Sequence, residues 1–256
     1  MVSVSEKYRR NKVDVDVGRA YLRGVKQLEL ALKKKRKRGA GRPKKGVRAS
    51  EKHKVRARVK STQPVHAVCR VMRDVRSLRT RHLYEAVRRA MLTALKRDTF
   101  RIVHVSIQSS HVHLLVEVQD RIALARGMQG FQIAAAKYIN AAISKRRDER
   151  RKGRVFADRY HPEIITNRRQ ARHALAYVLN NWRKHREHDF EPNWQIDPFS
   201  SASSFDGWRE DVEAWPETYQ PLPVWKPKVW LLSEGWKLYG LISTKETPGK
   251  VSEFAE

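Results

Sequence analysis

Apolar and polar positions change their period repeatedly between residues 64 and 188, and each change marks an element. Residues 65 to 72 read as a strand. Leu83, Ala86, Val87, Ala90, Met91, Ala94 and Leu95 fall at helical spacing and predict a helix with one apolar face, starting near Thr80. Val103, Val105 and Ile107 then alternate with Ile102, His104 and Ser106, as in a half-buried strand. Gln108, Ser109 and Ser110 supply a turn. The following strand, 111 to 118, sets Val112, Leu114, Val116 and Val118 on one face and His111, His113, Leu115 and Glu117 on the other.

Residues 121 to about 146 predict a long helix with Met128, Phe131, Ala135, Ile139 and Ala142 on one side. A charged link, 145 to 154, leads to a fourth strand within 155 to 166. The last helix, about 168 to 188, carries Ala171, Ala174, Leu175, Val178 and Trp182 inward. The order βαββαβα predicts an α+β fold, a ferredoxin-like antiparallel sheet with helices packed on it.

Composition divides the rest. Residues 1 to 62 are irregular and very basic, rising to Lys33-Lys34-Lys35-Arg36-Lys37-Arg38 and then Gly41-Arg42-Pro43-Lys44. Like charges at that density oppose compaction, so this stretch reads as a largely disordered arm. Residues 63 to 190 form the domain. Residues 191 to 256 hold six of the seven tryptophans among prolines and serines, which predicts an irregular extension packed by aromatic anchors.

The formal net charge of +28 calls for a polyanionic partner, and a nucleic acid is the natural one. No stretch approaches 18 uninterrupted apolar residues and no secretion signal is read, so the expectation is a soluble, cytoplasmic, nucleoid-associated protein without a membrane partner. Cys69 is the single cysteine, set among apolar neighbours as a quiet core thiol.

Two histidines at i and i+2 on a strand share a face, where neutral ring nitrogens can jointly ligate a divalent ion. With ten histidines in the chain, chance supplies roughly 0.4 such pairs, so His111 and His113 need context. The last helix gives it, because His173, Tyr177, Asn181, Lys184, His185 and His188 recur in steps of three and four on its polar side. A tyrosine attacks a phosphodiester once its phenol is deprotonated, and a cation on the scissile phosphate supplies the electrophilic half. Asn181 through its carbonyl, or alternatively Glu117 on the histidine face, would complete a Mg²⁺ or Mn²⁺ site. The plainer alternative is two histidines bonded to backbone and a tyrosine packed at a helix–sheet contact.

The string Ser-Ser-His-Val-His-Leu-Leu-Val-Glu-Val, ending at Val118, resembles the His-hydrophobic-His strand of the HUH single-tyrosine transposases, especially the REP-associated tyrosine transposase group. Lys137-Tyr138-Ile139-Asn140, Gly153-Arg154-Val155-Phe156 with Arg159-Tyr160, and Ala176-Tyr177-Val178-Leu179-Asn180-Asn181 resemble that family's later segments, in the same order. The resemblance spans about 64 to 190. It departs at Asn181-Trp182, where relatives often carry Asn-Pro, so the helix is expected to continue. Histidines preceding the tyrosine argue against the relaxase branch.

The resemblance implies metal-dependent cleavage of single-stranded DNA at hairpin-associated sites. Tyr177 would be the nucleophile, with Tyr138 and Tyr160 as lesser candidates, and His111, His113 and Asn181 the metal ligands. A covalent 5′-phosphotyrosine would then be passed to a second strand end. DNA contacts are expected from Arg36, Arg38, Arg42 and Lys44 in the arm, where Arg42-Pro43 resembles an AT-hook centre for the duplex minor groove, and from Arg154, Arg159, Arg168 and Arg169. A homodimer sharing tyrosines stays open. The rivals are a non-catalytic DNA-binding descendant and an RNA-binding ferredoxin-like module, whose exposed sheet aromatics are not evident here.

Overall fold

The computed structural model describes residues 58–190, 193–212 and 219–249. Arg36, Arg38, Arg42 and Lys44 lie outside the described residues, with residues 1–57 of the arm; of its last five residues, Val59 is buried in the core.

Strand β1 (Val65–Arg70) leads to helix α1 (Arg81–Ala94), then to the hairpin of β2 (Phe100–Ile107) and β3 (His111–Val118). Helix α2 (Arg121–Arg147), strand β4 (His161–Ile164) and helix α3 (Arg168–Leu179) follow. The strands form one antiparallel sheet in the order β2-β3-β1-β4, the ferredoxin-like arrangement that the periodicities predict. Local signals set the helix starts. Asp120 caps α2 by accepting from the Ala123 N–H at 2.7 Å, and Asn167 caps α3 by accepting from the Gln170 N–H at 2.9 Å. Helix α2 ends at Asp148, whose φ of 52° is left-handed, after Lys145, Arg146 and Arg147 complement the negative end of its dipole.

Both faces of the sheet are covered. On one, Val65, Ala67, Cys69, Val112, Leu114 and Val116 pack against Leu83, Val87 and Met91 of α1 and Met128, Phe131 and Ile139 of α2. Each large side chain buried there contributes roughly 1.5–3 kcal/mol. On the other, Leu115 and Val103 meet Ala171, Leu175 and Val178 of α3, joined by Ile196, Ala202, Phe205, Trp236 and Ile242 from the Trp- and Pro-rich segment. That segment also covers the β2 edge, where Ile107 N–H donates to the Phe199 carbonyl and Trp225 N–H to that of Ile102, both at 2.8 Å. Among its described residues it holds only short turns of helix, such as α5 (Trp230–Ser233).

Two local expectations fail. The alternation read along β2 is interrupted by a bulge between Ile102 and His104. The extra residue turns Val103 to the same side as His104, while Ile102 joins Val105 and Ile107 in the first core. The last helix is also not continuous to 188. It stops at Asn180, with φ −106° and ψ 16°, before the four-residue α4 (Asn181–Lys184) and a 3-10 turn, Glu187–Phe190. The buried Asn180 side chain donates to the Ser243 carbonyl at 2.8 Å, and the Arg183 guanidinium holds the Thr244 carbonyl. A partner more than sixty residues away along the chain thus interrupts a helix that local spacing would extend.

Candidate active site

Alternation along β1 and β3 sends His66, His111 and His113 to the sheet face opposite α1 and α2. In register, Val68 lies beside His113 and Arg70 beside His111. His66 leans onto His113, its Nε2 3.0 Å from His113 Nδ1 and the rings stacked with centroids 5.1 Å apart. The His111 ring meets that of His113 edge-on at 4.5 Å, and His185, just after α4, stands 5.7 Å from His111. The result is a connected row of four imidazoles.

Helix α3 crosses over this row and lowers Tyr177 onto it. The Tyr177 ring lies 5.3 Å from that of His113 and 5.8 Å from that of His66, and Lys184 Nζ sits 4.7 Å from the Tyr177 centroid. Tyr177 is half-buried on the wall of a cavity of about 700 Å³, which His66, His113, Glu163, His173 and Lys184 also line. Asn181, one turn beyond Tyr177, is fully buried.

Burial and mutual repulsion keep His66, His111 and His113 neutral. Desolvation, with a smaller contribution from the neighbouring His111, lowers His66 to about 4. Desolvation, then His185 and Arg70, lowers His111 to about 4. His113 is pushed well below the ordinary imidazole range by burial first and then by His66 and His111. Near pH 7 each therefore offers a lone pair. Burial, and secondarily the Glu163 carboxylate, raises the Tyr177 phenol above its usual value. The phenol is thus protonated at rest, and a positive charge must act on it or on its target before it attacks.

The sequence-predicted residues separate into groups. His111, His113 and Tyr177 converge. Glu117, the alternative ligand, is committed elsewhere: it accepts from the Lys228 N–H at 2.9 Å and the Val229 N–H at 2.8 Å, and Arg101 Nε is 3.4 Å away. Tyr160 is buried in the first core and Tyr138 packs against it, on the far side of the sheet from the imidazole row. Arg154, Arg159 and Arg168 are exposed and Arg169 is partly exposed, and none of the four lines the cavity. The cations that do are Arg172, paired with Glu246 at 2.7 Å, and Lys184.

His104 is buried against Ser201, with Nδ1 3.2 Å from its Oγ, away from the site. His66 and Glu163 were missed, although β1 shows the same alternation that singled out His111 and His113. Among the described residues no helix is long and apolar enough to cross a membrane.

Residues 59–181 match the family model of IS200-like transposases. Among solved structures, a REP-associated tyrosine transposase bound to a REP hairpin aligns with a TM-score of 0.47 at 17% identity, covering 70% of this chain and 93% of that one. A comparison with curated proteins gives no match. The matched span holds all four strands, the paired histidines of β3 and the tyrosine of α3, and over residues 59–181 this chain is similar to the IS200-like transposases.

Proposed function

We propose that this protein is a metal-dependent single-strand DNA endonuclease and strand transferase, with Tyr177 as its nucleophile. The observation that carries the reading is the Tyr177 ring 5.3 Å from His113, at a cavity wall shared with Lys184. The donor atoms suit a divalent cation. His113 Nε2 and both polar atoms of the Asn181 side chain, Oδ1 and Nδ2, are buried without a hydrogen-bond partner, which leaves Nε2 and Oδ1 free to take a cation. His111 engages Ser110 Oγ through Nδ1 at 3.1 Å, which leaves Nε2 for the ion.

Among the described residues no three His, Cys, Asp or Glu side chains are arranged to hold a metal, so His111 and His113 would be joined by Asn181 and by substrate oxygens. Two imidazoles in such a mixed set favour Mn²⁺ over Mg²⁺. When bound, the cation would polarise the scissile phosphate and draw charge from the attacking and leaving oxygens.

The rest is the work of the chain. Lys184 stabilises developing negative charge beside the Tyr177 ring. The Tyr177 oxygen forms a bond to phosphorus, the bond from phosphorus to the 3′-oxygen breaks, and the phenolic proton ends on that oxygen. The product is a 5′-phosphotyrosine and a free 3′-hydroxyl. One phosphodiester has replaced another, so a second 3′-hydroxyl reverses the step and joins the strands without a nucleotide cofactor. The substrate is DNA, in hairpin-bearing single strands, met in the cytoplasm on the nucleoid.

The test is incubation of the protein with end-labelled hairpin oligonucleotides and Mn²⁺, followed by denaturing electrophoresis. A covalent adduct that disappears in Tyr177→Phe and in His113→Ala is expected. Tight hairpin binding without any adduct would replace this reading with that of a non-catalytic DNA-binding descendant.

A further inference from the structure

The bond between His66 Nε2 and His113 Nδ1, 3.0 Å long, joins two neutral imidazoles, so one nitrogen carries the hydrogen and the other accepts it. Two arrangements satisfy that bond. If His66 donates, its Nδ1 presents a lone pair toward the Glu163 carboxylate 4.0 Å away, and His113 is left with an N–H at Nε2, buried with no acceptor. If His113 donates, the hydrogen of His66 lies at Nδ1, where the Glu163 charge favours it, and His113 turns a bare Nε2 lone pair into the site. His113 Nε2 is buried without a partner in both, but the first arrangement also turns a lone pair toward a carboxylate and leaves an N–H that no cation can satisfy, and in these respects the two differ.

We propose that Glu163, acting through His66, fixes His113 as the tautomer protonated at Nδ1, which makes His66 and Glu163 positioning residues for the nitrogen that would bind the metal. His66 cannot itself share that ion through Nε2, because the bond to His113 occupies it. Glu163 comes from β4, the edge strand whose Glu163 sits in register with His66. The edge strand thus has a chemical task beyond completing the sheet. This inference rests on the metal reading above for its purpose, and for its geometry on the His66–His113 hydrogen bond and the approach of Glu163 to His66.

The experiment is nitrogen-15 NMR of the histidine rings in the full-length, metal-free protein, with wild type compared with His66→Phe and Glu163→Gln. Expected in the wild type is a protonated-type shift at His113 Nδ1 and an unprotonated-type shift at Nε2. His66→Phe removes the acceptor and moves His113 toward the opposite tautomer. Glu163→Gln, at a solvent-exposed site that the fold tolerates, produces a smaller move in the same direction. Mn²⁺ titrations of the same samples should show binding weakened about 10- to 100-fold by His66→Phe, the usual effect of removing a group that orients a ligand.

A wild-type His113 protonated at Nε2 overturns the proposal, as does a tautomer unchanged in both variants. If the tautomers behave as described but Mn²⁺ leaves the His111 and His113 resonances untouched, the metal reading fails while the Glu163–His66 control of His113 stands.

Discussion

Glu117→Gln is the substitution that most sharply separates a structural carboxylate from a catalytic one. Glu117 is 3% exposed and receives the Lys228 and Val229 N–H groups just ahead of α5, with the buried Arg101 guanidinium beside it in register on β2. Arg101 also holds the Lys226 carbonyl and lies over the Trp225 ring, so one ion pair ties the C-terminal segment to the sheet. Hydrogen bonds to a charged group contribute about 1.5–3 kcal/mol. Stranding the partner of a buried pair costs roughly 3–5 kcal/mol.

Glutamine keeps one carbonyl acceptor but no charge, so a loss of about 3 kcal/mol is expected, a large part of a typical 5–15 kcal/mol total. For a domain of this size that lowers Tm by roughly 6–12 °C. Mn²⁺ affinity should not change, because Glu117 lies four residues along β3 from His113, about 13 Å at strand rise. The assay pairs thermal unfolding with Mn²⁺ titration. An unchanged Tm together with lost Mn²⁺ binding would return Glu117 to the metal and refute the assignment.

Other outcomes follow from packing and protonation. A Cβ added at Gly127 would fall 2.1 Å from Phe100 Cγ, so Gly127→Ala should destabilise by at least about 1–3 kcal/mol in urea unfolding; wild-type stability would contradict the packing of α2 on β2. Trp182→Ala empties a fully buried site and should cost about 3–5 kcal/mol, read in the same way.

His104 is lowered to about 4 by burial, with Asp206 opposing. Its folded value lies below its unfolded one, so the unfolded chain takes up a proton first and stability falls as pH drops from about 6.5 toward 4. At pH 5 this amounts to about 2 kcal/mol that His104→Gln should not lose. Parallel stability curves for the two proteins would show that His104 is not buried as described.

Much of this was legible in local pattern. Strict alternation predicted β3, and a consistent apolar face predicted α1, because burial of one face dominates such segments. Where long-range partners decide, the pattern misled. The Asn180 side chain ends α3 through Ser243, and the strand bulge rotates Val103 to join Phe205 and Trp236. The same holds within the site. His111, His113 and Tyr177 were visible because each stands on the polar side of an otherwise apolar element. Glu117 carried the same local signature, and only the backbone of Lys228 and Val229 shows its different use. His66 was equally visible in β1, but its meaning depends on which ring lies beside it.

The central claim, that Tyr177 is the residue that takes up DNA, is tested most directly by mapping the covalent adduct. Trypsin places Tyr177 in the peptide from His173 to Arg183, Tyr138 in that from Tyr138 to Lys145, and Tyr160 in that from Tyr160 to Arg168. Mass spectrometry of the digested adduct should find the nucleotide mass on the first of these, at Tyr177. A nucleotide on Tyr138, on Tyr160, or on any residue outside α3 would contradict the account.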